Sequence, residues 1–384
     1  MKHRVIQAFA LLARPFVRRA PPGLPRRVLV LKPDHLGDLV LATPALQALR
    51  QGLPAAQVTA LVGPWARRMW QGLPELDRLV EVPFPGFERA HAGRRQPLAP
   101  YLTLLRYGLL LRRARYDAAL LLRDDHWWGA ALALLAGIPL RVGHAHPLCA
   151  PLLSVALPYD VRSHVTRQAL AVVAGLTGRA VPVAPGTPPL RFVPSAAERA
   201  RARAWLAAHL APGERLLIIH PGTAGISKQW PAERWAAVGD ALAALPATRL
   251  LLTGGPDEAA LVARVATLLQ CPPLNLAGAT SIGELAALLG HAALVIGVDS
   301  GPLHLAVSQG APSLHLFGPT DHARFGPWGD PARHLVARAG LFCSPCHVLT
   351  HCPRGTAGPE CMLGIGVAEI ITLATSLLSS TGPG

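Results

Sequence analysis

Acidic residues are scarce in this chain of 384 residues: 22 Asp and Glu stand against 37 Lys and Arg, a formal net charge of +15 at pH 7. The positive field suits an anionic partner, such as a phosphorylated ligand, a nucleic acid or an acidic membrane surface. Aromatic residues are also few, at 5% of the chain. Nucleic-acid binders interleave clustered basic side chains with stacking rings, whereas the basic residues here are spread along the chain. We therefore expect no nucleic acid partner.

Cysteines and long apolar runs are scarce as well. Six cysteines in a chain of this length are too few for a disulfide scaffold. The apolar run Gly129–Leu140 has 12 residues, whereas a membrane-spanning helix needs about 20. No secretory signal is evident, because charges flank the short apolar run near the N-terminus on both sides. These features predict a cytoplasmic protein, soluble or peripherally bound to a membrane.

The 36 glycines and 38 prolines punctuate a repeating alternation of strands and helices. Short apolar segments such as Val28–Lys32 and Ala118–Leu122 alternate with helical patterns such as Leu39–Arg50. Wholly apolar strands separated by helices are typical of a parallel sheet covered on both faces. The alternation restarts after the proline-rich stretch Val181–Pro194, which reads as a stiff linker. The sequence therefore predicts an α/β protein with two doubly wound halves, a cleft between them, and ligands at the carboxyl ends of the strands.

We divide the chain into four segments: a basic segment 1–26, a Rossmann-like domain 27–185, a second Rossmann-like domain 195–362, and a C-terminal helix 363–384. The C-terminal helix is expected to pack back on the N-terminal domain. Segment 1–26 mixes basic and large apolar residues, as an interfacial amphipathic helix does. A disordered basic tail is the alternative, because Pro15 and the later prolines interrupt any long helix.

The first candidate loop, Lys32–Asp38, directly follows the first predicted strand. Gly37 permits a tight turn, and a helical pattern follows Asp38. Asp38 can serve as the helix N-cap, which is a common use of Asp. It can also face the cleft as a general base.

The second candidate loop, His220–Pro231, follows the first strand of the second half and carries Thr223, Ser227 and Lys228. Backbone N–H groups, hydroxyls and an ammonium in one short loop favour phosphate binding. The G-x-x-x-x-G-K-[ST] order of a P-loop is absent. An ordinary Gly/Ser turn with a solvated lysine is the alternative.

The third candidate loop, Gly297–His304, joins a strand ending at Asp299 to a helix that opens with Ser300, Gly301 and Pro302. Pro at the first helical position marks a helix start, whose free N–H groups bind anions. His304 lies about one turn into the helix and can point back to the same anion, or it can be a core histidine. The Asp-Ser-Gly order does not fit the nucleophile elbow G-x-S-x-G, which disfavours a serine hydrolase.

Four of the six cysteines fall within one short stretch near the C-terminus. They are Cys343, Cys346, Cys352 and Cys361. The C-x2-C pair followed by two more cysteines resembles a zinc ligand set, although the later spacing is irregular for a known finger. Reduced cysteines that pack a turn are the default interpretation, and we expect no metal at the active site.

In this order, the motifs resemble glycosyltransferase family 9, the bacterial lipopolysaccharide heptosyltransferases. The resemblance covers about residues 27 to 375. The segments that match the family are VLVLKPDHLGDLVLATPALQALR, HPGTAGISKQWPAERWAAVGDAL, LLTGGPDE, the DSGPLHLA…LFGPTD block and the CSPC…CP…CM tail. The DSGPLHLA…LFGPTD block is the most specific of them. It implies a GT-B fold of two Rossmann-like domains that face each other across a cleft. It also implies an inverting, metal-independent transfer of heptose from ADP-heptose to the lipopolysaccharide inner core, without a cofactor.

The resemblance also implies roles for individual residues. Asp38 would be the general base, Asp299 would contact the donor sugar or diphosphate, and Asp257 would bind the ribose hydroxyls. The remaining donor-side residues are Thr223, Ser227, Lys228, Ser300, Gly301 and His304. Many family members carry small hydroxyl residues where this chain has Pro-Asp-His, so Asp34 or His35 can share or replace the base on the acceptor side.

Two further expectations concern partners and place. The partners are a nucleotide-sugar donor and a membrane glycolipid acceptor, so the enzyme is expected at the inner face of the cytoplasmic membrane. A monomer is also expected. A nucleotide-sugar epimerase, or another GT-B enzyme with a different nucleotide sugar, is the alternative function. It would turn over a nucleotide sugar without any acceptor.

Overall fold

The structure is a computed structural model that describes residues 2–20, 22–87, 98–181, 183–356 and 358–380. The chain divides into two compact units, Met1–Pro188 and Pro189–Gly384. The division point lies inside the proline-rich stretch that the sequence marks as a linker. No helix within the described ranges is long and apolar enough to cross a membrane.

The first unit is built on a parallel sheet in the order β3-β2-β1-β4-β5-β6. Its strands, in chain order, are β1 (Arg27–Lys32), β2 (Gln57–Val62), β3 (Arg78–Glu81), β4 (Ala118–Leu121), β5 (Leu140–His144) and β6 (Val155–Leu157). The central strands are buried on both faces, which is why β1 and β4 read as unbroken apolar runs. Because the chain adds strands first on one side of β1 and then on the other, β1 and β4 form the switch point of the sheet.

Helices of the first unit cover this sheet. They are α1 (Lys2–Ala13), α2 (Leu36–Leu41), α3 (Thr43–Gly52), α4 (Arg67–Trp70), α5 (Ala99–Ala114), α6 (Trp127–Leu135) and α7 (Val165–Thr177). The helix predicted over Leu39–Arg50 is divided into α2 and α3, because Pro44 in the first turn of α3 lacks an N–H to continue the preceding helix.

The N-terminal segment contains a folded helix. Three side chains of α1, namely Ile6, Ala10 and Ala13, are buried in the apolar core of the first unit, beside α6. A short 3-10 turn at Arg14–Phe16 follows, and Arg18 then donates its backbone N–H to the carbonyl of Gly137. The alternative of a disordered tail is therefore wrong for these residues.

The second unit repeats the same design, with the sheet order β12-β11-β10-β7-β8-β9. Its strands are β7 (Arg215–His220), β8 (Thr248–Leu252), β9 (Leu274–Asn275), β10 (Ala292–Val298), β11 (Ser313–Leu316) and β12 (His334–Ala337). Its helices are α8 (Ala196–His209), α9 (Ala232–Ala243), α10 (Ala259–Leu268), α11 (Ile282–Leu289), α12 (Gly301–Ser308), α13 (His322–Phe325), α14 (Glu360–Leu363) and α15 (Val367–Ser380). The predicted doubly wound, Rossmann-like sheets are thus confirmed in both units.

Two capping boxes start neighbouring helices of the second unit at the residues their sequences predict. Ser195 caps α8 with Glu198, and Ser281 caps α11 with Glu284. The two helices pack against each other at Gly283, where an added Cβ would lie 2.0 Å from the Glu198 carboxylate. A side chain at this position would displace the Glu198 carboxylate from its capping box.

The C-terminal helix packs on the second unit. Ile370, Ala374, Leu377 and Leu378 of α15 are buried in the same core cluster as β10, β11 and α9. The expectation that residues 363–384 pack on the N-terminal domain is therefore wrong, because the apolar face of α15 covers the second sheet. Residues 381–384 lie outside the described part of the chain.

A hydrogen-bonded histidine pair is buried in the second sheet. The Ser313 hydroxyl lies 2.8 Å from His315 Nε2 and 2.8 Å from His334 Nδ1. It can donate to one ring and accept from the other, so these two ring nitrogens are satisfied when both rings are neutral, whereas His315 Nδ1 has no hydrogen-bond partner among the described residues. Burial lowers the pKa of His315 well below its usual value, and burial with the nearby Arg333 lowers the pKa of His334 to about 4.

These pKa values predict acid destabilisation. In the unfolded chain these histidines bind protons near pH 6.5, whereas in the folded protein they stay neutral until the pH is much lower. The free energy of unfolding therefore falls as the pH drops from about 6.5 to 4, by up to about 1.4 kcal/mol per pH unit for each histidine. Thermal melts between pH 7.5 and 4.5 should show this fall. His334→Asn should reduce the size of this fall without abolishing it, because His315 and His304 still contribute, whereas exposed His291→Gln should leave it unchanged. A wild-type melting temperature that stays constant from pH 6.5 to 4.5 would contradict the argument.

Candidate active site

The donor-side loops meet at the switch point of the second sheet, between the adjacent strands β7 and β10. Lys228 lies in a 3-10 turn after β7, and Asp299 directly follows β10. The Lys228 ammonium donates to the Asp299 carbonyl at 2.6 Å and to its carboxylate Oδ2 at 3.2 Å. The two loops that the sequence selects independently are thus brought together at the carboxyl edge where such sheets bind ligands.

The Asp299 carboxylate is held from two further sides. Thr320, in the loop after β11, donates its hydroxyl to Oδ2 at 2.8 Å, and His304 Nε2 lies 3.9 Å from Oδ1. Asp299 is only 7% exposed. A buried carboxylate with three polar neighbours has a fixed orientation, which is what a ligand-positioning group requires.

Helix α12 begins beside this carboxylate with open donors. Its N-cap Ser300 makes no capping bond with its side chain, and Pro302 occupies the first turn. Among the described residues, the buried Ser300 hydroxyl and His304 Nδ1 have no hydrogen-bond partner. Burial, reinforced by Lys228 and opposed by Asp299, lowers the pKa of His304 to about 4, so the ring is neutral at physiological pH. Helix N-termini and lysine ammonium groups both favour anions, so this edge of the sheet is a candidate anion site.

The other two residues of the predicted phosphate loop have local partners. Thr223 is buried and accepts a hydrogen bond from the Gly225 backbone N–H at 3.5 Å. Ser227 is buried and donates its hydroxyl to the His351 carbonyl at 3.2 Å. Ser227 therefore anchors the loop that carries Lys228.

A carboxylate next to the predicted ribose-binding residue is turned toward β7. Asp257 is exposed on a 3-10 turn, while its neighbour Glu258 lies 3.4 Å from His220 Nε2. Burial would raise the pKa of Glu258, but His220 and the Gly255 N–H outweigh that effect and lower it. His220 is held from its other side by Thr253, with Nδ1 and Oγ1 3.0 Å apart. The chain thus offers two adjacent carboxylates after β8, one exposed and one fixed.

The segment between Cys343 and Cys352 forms hydrogen bonds with the same loops. The backbone N–H of His347 donates to the Pro319 carbonyl at 2.8 Å, and Ser344 donates its hydroxyl to Gly318. The Ser227 backbone N–H donates to the Leu349 carbonyl at 3.2 Å. The segment therefore connects the Lys228 loop with the loop that carries Thr320.

The cysteines themselves are free thiols. In the described ranges, no group of three or more His, Cys, Asp or Glu residues is arranged to hold a metal ion. Burial, with the nearby Cys346 and Cys343, raises the pKa of Cys361. A hydrogen bond from Thr356 lowers the pKa of Cys352.

In the first unit, the loop after β1 holds a closed ion cluster. Asp34 is 2% exposed and pairs with Lys32 at 3.0 Å and with Arg123, which follows β4. Burial acts to raise the pKa of Asp34, but the two cations outweigh it and hold the pKa at about 2. Such a carboxylate is a poor proton acceptor, which counts against Asp34 as the base.

Asp38 lies in the first turn of α2 and is half-buried. The N-cap of α2 is His35, so the interpretation of Asp38 as an N-cap is wrong. The ring of His35 lies 6.0 Å from that of Trp65. Asp38 and the Asp34–Arg123 pair follow β1 and β4, and therefore share the switch-point edge of the first sheet.

Sequence reasoning missed four residues of these sites: Arg123, His220, Glu258 and Thr320. His220 ends β7, and the other three lie in loops that follow β4, β8 and β11 at the carboxyl edge of their sheets. That position was the available signal, because loops after parallel strands converge there. Thr320 lies in the LFGPTD block, and Glu258 ends the LLTGGPDE segment.

Two Rossmann-like units in one chain are the architecture of the GT-B class of glycosyltransferases. Residues 104–352 match the sequence profile of glycosyltransferase family 9 (heptosyltransferase), and the chain belongs to this family. It is a glycosyltransferase.

A curated relative agrees with this assignment, and two solved structures share the fold. Lipopolysaccharide heptosyltransferase 3 of Escherichia coli is 28% identical over 298 residues, 77% of this chain and 84% of the relative. The crystal structure of a family 9 glycosyl transferase from Veillonella parvula has a TM-score of 0.77 and 24% identity, and covers 94% of this chain and 99% of its own. The E. coli ADP-heptose lps heptosyltransferase II structure has a TM-score of 0.73 and 19% identity, over 93% of this chain and 100% of its own.

The lysine contact leads to a prediction on the donor side. Lys228→Met removes the ammonium beside Asp299, so we expect turnover to fall by about 10²-fold, as when one donor to a developing anion is lost. Asp299→Ala should also weaken donor use. The control is Arg249→Met, which removes an exposed charge from β8. Nucleoside diphosphate release measures all three variants, and wild-type kinetics in both Lys228→Met and Asp299→Ala would place the nucleotide elsewhere.

Proposed function

We propose that this enzyme transfers heptose from ADP-heptose to the inner core of lipopolysaccharide or to a related glycolipid. The observation that carries the proposal is the anion site made by Lys228, Asp299 and the start of α12. The similarity to heptosyltransferases over most of the chain supports the sugar and the acceptor.

The reaction is proposed as a single displacement. An acceptor hydroxyl attacks the anomeric carbon, the bond from that carbon to the diphosphate oxygen breaks, and the sugar configuration inverts. The hydroxyl proton passes to a carboxylate, and the electron pair of the broken bond remains on the departing ADP. The protein must therefore supply a base on one side and cationic stabilisation on the other.

Stabilisation of the leaving diphosphate is assigned to this chain's own groups, which makes the transfer metal-independent. The Lys228 ammonium contributes a full positive charge, and the N–H groups that open α12 contribute a partial one. The Ser300 hydroxyl and neutral His304 can each donate a hydrogen bond to phosphate oxygens. The negative charge on the diphosphate increases during bond cleavage, so these groups act most strongly in the transition state.

Asp38 is proposed as the general base. It belongs to the Gly-Asp motif of the family and follows β1 in the unit assigned to the acceptor. Asp34 is held by its cations and instead orders the loop. His35, the N-cap of α2, stays an acceptor-side candidate.

The ribose hydroxyls of ADP are assigned to the carboxylates after β8. A carboxylate that accepts from ribose hydroxyls is a recurring device of Rossmann-like sheets. Asp257 is the residue indicated by the family motif, and its exposed position leaves it accessible to a ligand. Glu258, fixed by His220, orders the turn that presents it.

We also propose that the enzyme works at the inner face of the cytoplasmic membrane, where a lipid-linked acceptor is accessible. The basic N-terminal segment supports this, because basic residues near an anionic leaflet are attracted to it. That the enzyme acts as a monomer stays a prediction.

The assignment of Asp38 as the base predicts that Asp38→Asn lowers the transfer rate by about 10²–10⁴-fold, since a general base typically contributes a factor of this size. Donor binding should be almost unchanged, because the amide keeps the size of the side chain. Exposed Asp160→Asn in the same unit is the control. Asp38→Asn activity within a few-fold of wild type would move the base role to His35.

The donor assignment is tested by thermal shift with ADP-, UDP-, GDP- and dTDP-sugars. We expect the ADP-sugar to stabilise the protein most, by about 2.7 kcal/mol at a hundred times its Kd. EDTA should leave both this shift and the transfer rate unchanged. Preference for another nucleotide would refute the heptose donor, and strong loss of the shift with EDTA would refute metal-independent binding.

A further inference from the structure

Helix α5 carries large apolar side chains on its solvent side. The exposed fractions are 60% for Tyr101, 64% for Leu102, 50% for Leu105, 54% for Leu109 and 49% for Leu110. Five such residues on one helix form a continuous patch rather than scattered exposure.

The opposite side of the same helix holds it in place. Leu104, Gly108 and Leu111 recur at helical spacing and are buried toward α6. At Gly108 an added Cβ would lie 2.6 Å from the Leu135 side chain, so the two helices pack closely. Within the described part of the unit, this inner side packs in the core, whereas the outer leucines are exposed.

The N-terminal segment extends the patch. Leu11 and Leu12 of α1 are 60% and 75% exposed, and Phe16 in the following turn is 65% exposed. The guanidinium of Arg112 on α5 donates to the Phe16 carbonyl at 3.1 Å, and both helices pack on α6. We call the exposed apolar residues of α1, of the turn after it and of α5 the α1–α5 face.

The segments that build this face carry charge of one sign. Residues 1–33 and 98–116 contain no Asp or Glu. Arg106 and Arg113 are exposed on the outer side of α5, and Arg19 is exposed after the turn. A second copy of the chain docked symmetrically on this face would place arginines opposite arginines, which is unfavourable. A surface with an apolar interior and anionic groups at its boundary complements both the leucines and the arginines.

We propose that the α1–α5 face docks on an anionic lipid bilayer. The leucines enter the boundary between headgroups and acyl chains, and the arginines contact lipid phosphates, as in interfacial amphipathic helices. The inference rests on the proposed lipid-linked acceptor for its biological purpose only. Docking itself needs neither donor nor acceptor.

The test uses the full chain, because α1 contributes Ile6, Ala10 and Ala13 to the core and its removal would disturb folding. Wild type and the triple variant Leu102→Gln, Leu105→Gln, Leu109→Gln are sedimented with phosphatidylglycerol–phosphatidylethanolamine vesicles and with phosphatidylcholine vesicles. The matched control changes Leu268 and Leu363, two exposed leucines of the second unit, to Gln. Thermal melts verify that each variant is folded.

We expect wild type and the control to bind anionic vesicles, and the triple variant to bind at least about tenfold less. Arg106→Glu with Arg113→Glu should also reduce binding to anionic vesicles. Equal binding by wild type and the triple variant, or no wild-type binding at low salt, would overturn the proposal. So would a dimer of wild type without vesicles that the triple variant abolishes. The donor thermal shift tests the proposed function separately, since it involves no lipid.

Discussion

The functional layout depends on one constraint of parallel sheets, the switch point where strands are added on opposite sides of a central pair. At β7 and β10 the following loops leave in different directions and open a crevice at the carboxyl edge. Lys228 and Asp299 meet in that crevice, and α12 points its free N–H groups there. Because β1 and β4 repeat the arrangement, Asp34 and Arg123 meet at the equivalent edge of the first sheet.

The two crevices handle buried charge differently. Asp34 pairs with two cations that hold the pKa of this carboxyl at about 2. The charge of Asp34 therefore orders the loop after β1. The Asp299 carboxylate accepts hydrogen bonds from one lysine and from one threonine hydroxyl. Beside it, Ser300 and His304 have buried polar atoms without a hydrogen-bond partner among the described residues. Burying polar groups without partners is costly, and a bound ligand that supplied those partners would offset the cost, which supports the proposed donor site.

Much of this could be read from the sequence because it depends on local patterns. Apolar runs of strand length predicted the doubly wound sheets, and the proline at the start of α12 predicted its first turn. The motifs selected Lys228 and Asp299 without knowledge of their contact. Short strands at the sheet edges, such as β9 and β12, were not predicted from the sequence, since two to four residues carry too little periodicity. The roles of Thr320, Glu258 and Arg123 were not predicted, because their contact partners are distant in sequence.

By itself, the sequence determined the fold class, the family resemblance and the loops in which chemistry is located, because these follow from periodicity and from residue types in a fixed order. Only the tertiary structure decided which side chains have partners. It showed that Asp34 is closed in an ion cluster, that Ser227 anchors a loop, and that α15 covers the second sheet rather than the first unit. It also separated the buried side of α5 from its exposed leucines. Pairing and exposure arise from contacts between elements distant in the chain, so no local pattern encodes them.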